Sequence, residues 1–170
     1  MRLSSVHLYI AVSLDGFIAT EDGGVVWLDA FQSPNNDYGY EAFLASMDTL
    51  VMGRVTYEQV RGFGAWPYAG KRCIVLSQGQ PESALPEGVV FHSTLPTNLT
   101  GTVWLVGGRQ TIHSYLAAGL IDRIELFVMP VLLGTGIPLF TGGTSPSNAP
   151  LTEHTVYPNG VVRLLYDLKC

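Results

Sequence analysis

Short apolar runs rich in β-branched residues alternate with helical segments along most of this 170-residue chain. The runs that predict strands are 6–12, 49–52, 73–76, 89–91, 103–106 and 123–133, and a hairpin follows at 155–168. The hairpin is predicted because Asn159-Gly160, a type I′ turn signal, separates two apolar runs. This order predicts an α/β fold with about eight strands, mostly parallel, an antiparallel C-terminal hairpin and helices on both faces.

Three segments have the pattern of helices. Apolar residues keep the i, i+3, i+4, i+7 spacing over 40–47, where Asn36 or Asp37 can cap the start. A second helix follows Thr56, and a third covers 110–118. We expect one domain over residues 1–170, because a chain of this length can bury a core of its own.

Composition and charge exclude several classes of protein. Apolar residues make up 47% of the chain and charged residues 14%, which is typical of a well-packed globular protein. No run approaches 18 apolar residues, so no membrane association is expected. The net charge of −5 argues against nucleic-acid binding. With only two cysteines and no signal-peptide pattern, the sequence predicts a cytoplasmic protein without a disulfide framework.

Several familiar site motifs are missing from the sequence. The four histidines are scattered, with no H-x-H, H-E-x-x-H or C-x-x-C spacing, so no metal site is expected. The chain also lacks G-x-G-x-x-G after its first strand, the P-loop pattern and the G-x-S-x-G elbow. A standard Rossmann protein, a P-loop NTPase and an α/β-hydrolase are therefore not predicted.

Three strands run into polar or glycine-rich turns, as "LVMGRVT" (50–56), "CIVLSQ" (73–78) and "VWLVGGRQTI" (103–112) show. Ligands of open parallel sheets bind at the carboxyl ends of strands, and helix N-termini there attract phosphate. Gly107-Gly108 before a helix therefore predicts a pyrophosphate cradle, and Arg54 with Ser77 could clamp a further phosphate. The alternatives are an ordinary turn, an arginine covering apolar surface and an ordinary strand end.

Five segments in order carry a family resemblance. They are "SLDGFIA" (13–19), "DTLVMGRVTYE" (48–58), "KRCIVLS" (71–77), "VWLVGGRQTIHSYLAAGLIDRIEL" (103–126) and "PVLLGTGIPLF" (130–140). The chain resembles the dihydrofolate reductase-like superfamily, and within it the RibD C-terminal domain family of riboflavin-biosynthesis reductases. "MGR-x-T" and the late Gly-Gly are shared with dihydrofolate reductases at large, whereas "SLDG-x-IA" and "P-x-LLG-x-G-x-PLF" are more typical of the riboflavin branch.

The resemblance implies an NADPH-dependent reductase with an eight-stranded sheet. By position, Arg54 and Ser77 would hold the 2′-phosphate, and Ala11 and Ile18 would line the nicotinamide. The pyrophosphate would meet two helix starts, formed by Gly53, Val55 and Thr56 and by Gly107, Gly108, Arg109 and Gln110. Many relatives have a second Ser or Thr after the matched serine, but this chain has Gln78, which leaves the preference for NADPH over NADH open.

On the substrate side the resemblance points to Asp37, Trp27 and Lys71. Asp37 has the spacing of the acidic pocket residue of dihydrofolate reductases, where it could grip an amino-pyrimidine ring and help protonate the substrate, but a helix cap needs the same residue type. Trp27 matches a tryptophan near the folate pocket or is a core aromatic. Lys71 would bind a ribose phosphate or only solvent. Asp15, at an Asp-Gly turn, is predicted to be structural.

The resemblance favours hydride transfer to a pyrimidine-linked ribosyl group, as in a 5-amino-6-(5-phosphoribosylamino)uracil reductase. The alternatives are a dihydrofolate- or pterin-reductase-like enzyme and a nucleotide-binding module without catalysis. A pure interaction protein, in which the glycines are only turns, is a further alternative. A small heterocyclic substrate and a homodimer are the expected partners.

Overall fold

An eight-stranded sheet, in the order β5-β4-β3-β6-β1-β7-β10-β9, forms the centre of the computed structural model, which describes residues 3–81, 83–145 and 147–169. Its strands are β1 (Ser4–Ser13), β3 (Thr49–Gly53), β4 (Arg72–Leu76), β5 (Val89–His92), β6 (Gly101–Gly107), β7 (Arg123–Met129), β9 (Leu151–Val156) and β10 (Val162–Asp167). The first six pair in parallel, and β10 is antiparallel to both β7 and β9. The predicted fold class is confirmed.

Three α-helices cover the two faces of this sheet, as predicted. They are α1 (Tyr40–Ala45), α2 (Arg54–Gly62) and α3 (Arg109–Ala117). Side chains of α1 and α2 pack against one cluster of buried residues, whereas Ile112 and Tyr115 of α3 belong to another. None of the described helices is long and apolar enough to cross a membrane.

The two faces of the sheet follow from the alternation of side chains along each strand. In β3, Leu50 and Met52 pack on the α1–α2 side, and Val51 packs on the α3 side. All three are fully buried, so this strand is apolar on both faces, as in other parallel sheets covered by helices.

Two short elements were not predicted. A 3-10 helix covers Val26–Phe31, and β2 (Phe17–Ala19) pairs with β8 (Ile137–Pro138) in a separate two-stranded sheet. Runs of two to six residues are too short to show a period in the sequence. In the run 123–133, Pro130 predicts an edge or a bend in the second half, and β7 ends just before it, at Met129, because proline has no N–H to donate to a sheet.

The predicted structural role of Asp15 is confirmed. Its carboxylate accepts hydrogen bonds from Ser13 Oγ at 2.6 Å, from the N–H of Gly134 at 2.7 Å and from the N–H of Leu133 at 3.2 Å. Asp15 therefore joins the turn after β1 to the loop after β7, which are the two segments typical of the riboflavin branch.

We expect Asp15→Ala to lower the midpoint of thermal unfolding by about 2–4 °C, because three donors lose their acceptor. Calorimetry of the variant beside Glu87→Gln, a change at an exposed acid, measures the effect. Equal midpoints for Asp15→Ala and the wild type would show that this link contributes nothing to stability.

Candidate functional site

The sheet opens between β1 and β6 at their carboxyl ends. These strands pair only from Ser4–Leu8 with Gly101–Leu105. Beyond that point β1 continues along β7, and β6 continues along β3. β1 and β6 are neighbours in the sheet, but the chain runs from β1 to β3 in one direction across the sheet and from β6 to β7 in the opposite direction. This reversal between adjacent strands defines a topological switch point. Ligands of open α/β sheets bind in such crevices.

Two helices begin at this edge without a side-chain cap. The N-cap residues of α2 and α3 are Gly53 and Gly108, neither of which makes a side-chain cap hydrogen bond, and neither helix has an acidic residue in its first turn. The first N–H groups of a helix have no partner within it and carry partial positive charge. Both helix starts are therefore suited to an anion such as a pyrophosphate.

The two helix starts contact each other through glycine and threonine. A Cβ built on Gly53 would lie 2.8 Å from Thr111 Oγ1 of α3, and a Cβ built on Gly108 would lie 3.2 Å from Thr56 Oγ1 of α2. Gly107 also has a φ of +135°, a backbone conformation that residues other than glycine rarely adopt. Glycine at these positions is what lets the two strand ends approach so closely.

The predicted 2′-phosphate residues lie over one turn. A Cβ built on Gly79 would be 2.7 Å from Arg54 Nη1 and 3.8 Å from Ser77 Oγ, so both side chains face this glycine. Ser77 Oγ accepts a hydrogen bond from the N–H of Gly79 at 3.1 Å. Gln78 does not join them, because its amide donates to Ser93 O at 2.7 Å.

Arg54 is held in place by an acid of its own helix. Its Nε lies 2.7 Å from Glu58 Oε1, one helical turn further on. An open pocket of about 390 Å³ lies beside this pair and is also lined by Tyr57, Arg61 and Phe91. The pocket is next to the predicted phosphate residues and has both basic and aromatic walls.

The two predicted nicotinamide residues lie near the carboxyl end of β1. Ala11 packs with a buried cluster around Phe127, which is only 2% exposed. Ile18 lies in β2 and packs against the core on the α3 side. Trp27, predicted on the substrate side, packs with the cluster around Phe127, and its buried Nε1 has no hydrogen-bond partner in the described structure. The structure thus brings Trp27 and Ala11 into one apolar cluster.

The hydrogen bonds of Asp37 are those of a helix cap, the alternative to a catalytic acid that the sequence left open. Its carboxylate is exposed and accepts hydrogen bonds from the N–H groups of Gly39 and Glu41, both at 2.9 Å. The N–H groups of Glu41 and Gly39 hold the pKa of Asp37 below its usual range. An ionised, exposed carboxylate at a helix start is a cap and is poorly placed to deliver a proton.

The structure also separates Lys71 from the other predicted residues. Its ammonium donates to Met47 O at 2.6 Å and to Ala45 O at 3.3 Å, at the C-terminal end of α1. Lys71 precedes β4, whereas Ser77 follows it, so the two residues are six steps of extended chain, or about 20 Å, apart. Lys71 therefore stabilises a helix end at the opposite edge of the sheet.

Sequence reasoning did not find three parts of the site. Thr111 could have been suspected as a polar residue on the buried face of an amphipathic helix. No sequence pattern marks Gly79 as part of the site, because its role depends on the position of the Arg54 side chain in the folded protein. Glu125 and Arg163, which form an ion pair on β7 and β10, are 38 residues apart in the sequence. The described residues contain no group of three potential metal-ligating side chains.

Comparisons with known proteins agree with this architecture. A family model for the RibD C-terminal domain matches residues 89–163. The uncharacterized protein YwjB of Bacillus subtilis is 40% identical over 142 residues, which cover 78% of this chain and 80% of the relative. The crystal structure of a putative riboflavin biosynthesis protein from Shewanella is 31% identical, with a TM-score of 0.84, and the match covers 98% of this chain and 99% of that one.

Two more distant structures share the fold. Dihydrofolate reductase from Enterococcus faecalis, complexed with NADP(H), has a TM-score of 0.69 at 18% identity, covering 96% of this chain and 95% of that one. The deaminase and 5-amino-6-(5-phosphoribosylamino)uracil reductase from Thermotoga maritima has a TM-score of 0.71 at 12% identity. That match covers 98% of this chain and 57% of the other.

Proposed function

This chain belongs to the RibD C-terminal domain family, and from that premise we propose that it is an NADPH-dependent reductase that transfers a hydride to a pyrimidine-linked ribosyl group. The observation that carries the proposal is the pair of uncapped helix starts, α2 and α3, that meet at the adjacent carboxyl ends of β3 and β6, beside the crevice between β6 and β1. Such a pair of N-termini, free of acids in the first turn, fits a pyrophosphate.

The residues present fit a phosphorylated dinucleotide along its whole length. The first turns of α2 and α3, including Thr56 and Gln110, would hold the pyrophosphate, and Arg54 with Ser77 would hold a 2′-phosphate. NADPH, when bound, supplies the hydride. The apolar side chains around Ala11 and Phe127 would orient the acceptor and exclude water from it.

The capping hydrogen bonds of Asp37 affect the choice among the alternatives. A pterin reductase of the dihydrofolate type would use an acid at this place to bind the pterin ring, but here the carboxylate caps α1 and is exposed. This observation favours the pyrimidine-linked ribosyl acceptor. It also makes nucleotide binding without catalysis the second candidate function.

Titration with NADPH, followed by an assay of its oxidation, separates these candidates. The increase in nicotinamide fluorescence on binding measures the affinity, and absorbance at ~340 nm measures turnover with 5-amino-6-(5-phosphoribosylamino)uracil. Saturable binding with turnover supports the reductase, and binding without turnover of this substrate or of dihydrofolate supports the second candidate. Absence of saturable binding would remove both.

Glu58 is expected to weaken the preference for NADPH over NADH. In Glu58→Gln the amide oxygen can still accept from Arg54 Nε, but the negative charge beside the 2′-phosphate is lost. We expect the affinity for NADPH to rise about threefold, the effect of one charge about 6 Å away in screened water, and the affinity for NADH to stay the same. The dissociation constants of NADPH and NADH, measured for the wild type and for Glu58→Gln at low and at high salt, test this prediction. An equal change in affinity for both nucleotides would contradict it.

A further inference from the structure

A second pocket, of about 460 Å³, lies between α1 and the strands β7 and β10. It is lined mainly by Tyr38, Gly39, Phe43, Glu125, Tyr157 and Arg163. Phe127, two residues along β7 from Glu125, pairs in register with Ala11 of β1, so the pocket adjoins the cluster that contains Ala11, which is predicted to line the nicotinamide. Its walls are aromatic, and its floor carries an ion pair.

The charged pair on the floor is largely buried. The side chains of Glu125 and Arg163 are only 14% and 19% exposed, and Arg163 Nε lies 2.5 Å from Glu125 Oε1. Arg163 Nη1 also lies 2.6 Å from Glu153 Oε2, but Glu153 is 58% exposed and does not line the pocket. Within the described part of the chain, the side-chain hydrogen bonds of this pair use Arg163 Nε and Nη1 and Glu125 Oε1, and none is formed to Glu125 Oε2 or from Arg163 Nη2. The floor thus offers one acceptor and one donor side by side.

The aromatic wall at Tyr38 is held in a strained conformation. Tyr38 has a φ of +55°, the only positive value outside glycine among the described residues. Its hydroxyl donates to Phe31 O at 2.6 Å and accepts from Asn159 Nδ2 at 2.6 Å, and its carbonyl accepts from the Tyr9 hydroxyl at 3.2 Å. Backbone strain held by several contacts concentrates at binding sites.

We propose that Glu125 and Arg163, in place of Asp37, recognise the ring of the acceptor substrate, and that they select a planar ring with an adjacent N–H and C=O, a lactam edge. Glu125 accepts from the ring N–H, and Arg163 donates to the neighbouring carbonyl. The ring packs against Tyr38 and Tyr157. The part of the substrate that enters the pocket is thus a neutral lactam heterocycle. This inference rests on the proposed reductase function.

The charge of the pocket fixes which end of the substrate enters it. The two charged residues that line the pocket, Glu125 and Arg163, cancel each other's charge, so the pocket offers no net positive charge to hold a phosphate group. Glu125 lies two strand residues, or about 7 Å, from Phe127 and the row of Ala11. A ring bound at Glu125 therefore places a substituent, and not the ring itself, next to Ala11, as a ribosyl acceptor requires.

Binding of 5,6-diaminouracil to the wild type, measured by calorimetry, tests this pocket without any mutation. Its 1,3-dimethyl derivative has the same ring but no ring N–H. Because a site built to accept from an N–H rejects analogues that lack it, we expect the dimethyl compound to bind at least tenfold more weakly. Equal affinity for the two compounds, or no binding of either, would overturn the proposal.

Variants then assign the recognition to Glu125. We expect Glu125→Ala to weaken diaminouracil binding at least tenfold and Glu125→Gln to weaken it less. Glu153→Gln, which alters the other acid on Arg163 outside the pocket, should change it less than twofold. Cooperative thermal unfolding of each variant, followed by circular dichroism, shows that it is folded. If Glu125→Gln and Glu125→Ala both bind diaminouracil as the wild type does, the proposal is wrong.

The same measurements separate this proposal from the reductase function. Diaminouracil binding that depends on Glu125, without any binding of NADPH, would refute the reductase and leave the ring pocket established. NADPH binding with turnover, but with diaminouracil binding that ignores Glu125, would refute only the ring pocket.

Discussion

Gly53→Ala is expected to destabilise the protein by about 1–3 kcal/mol and to abolish measurable nucleotide binding. The new Cβ would lie 2.8 Å from Thr111 Oγ1, and Thr111 is only 6% exposed, so the hydroxyl cannot swing aside into solvent. The start of α2 must then move away from the start of α3. Because both starts are proposed to hold one pyrophosphate, a shift of either disrupts the site. Chemical denaturation and NADPH titration measure the two effects.

Matched variants make this result specific to the contact. Gly62, at the other end of α2, has nothing within 4 Å of a built Cβ, so Gly62→Ala should leave both stability and binding close to those of the wild type. In the double variant Gly53→Ala/Thr111→Ala the obstructing hydroxyl is gone, and we expect part of the lost stability to return. If Gly53→Ala is as harmless as Gly62→Ala, the close approach of α2 and α3 is not required.

Arg54→Ala is expected to weaken NADPH binding about 10- to 100-fold and to change NADH binding less than threefold. A hydrogen bond to a charged group contributes about 1.5–3 kcal/mol, and only NADPH carries the phosphate that Arg54 would meet. Fluorescence titration of both nucleotides with the wild type and the variant gives the selectivity directly.

Arg61→Ala is the control for Arg54→Ala, because Arg61 lies on the same helix and lines the same pocket but bonds to Tyr57 and Ala84. Arg61→Ala should reduce the affinity for NADPH far less than Arg54→Ala does. The dependence of NADPH affinity on salt should become weaker mainly in Arg54→Ala. Equal losses of NADPH and NADH affinity in Arg54→Ala would mean that Arg54 supports the fold of the crevice and does not read the 2′-phosphate.

The parts of the site that follow a strand directly could be predicted from the sequence. Gly53, Arg54, Ser77 and Gly107 each come just after an apolar run, and the carboxyl ends of parallel strands meet at one edge, so their proximity follows from the fold class. Local turn chemistry was also sufficient for Asp15 and for the place of the C-terminal hairpin. The predicted type I′ turn at Asn159-Gly160 is wrong, however, because the N–H of Gly160 donates to Tyr157 O, which centres the turn on Pro158 and Asn159, and Asn159 does not have a positive φ.

The roles of Asp37 and Lys71 could not be predicted in the same way. A helix cap and a catalytic acid require the same residue at the same spacing, and only the hydrogen bonds to Gly39 and Glu41 distinguish them. Lys71 bonds to carbonyls that lie far from it in sequence. The Glu125–Arg163 pair depends on the register of β7 against β10, which a single sequence does not specify.

Hydrogen exchange of the protein with and without saturating NADPH tests the central claim most directly. If the first turns of α2 and α3 hold the pyrophosphate, the amides at 54–56 and 109–111 gain a partner on binding, and peptides that cover these residues should exchange more slowly. The N-terminal half of β9, at the far edge of the sheet, should be unchanged. Saturable NADPH binding without protection at either helix start would contradict the account.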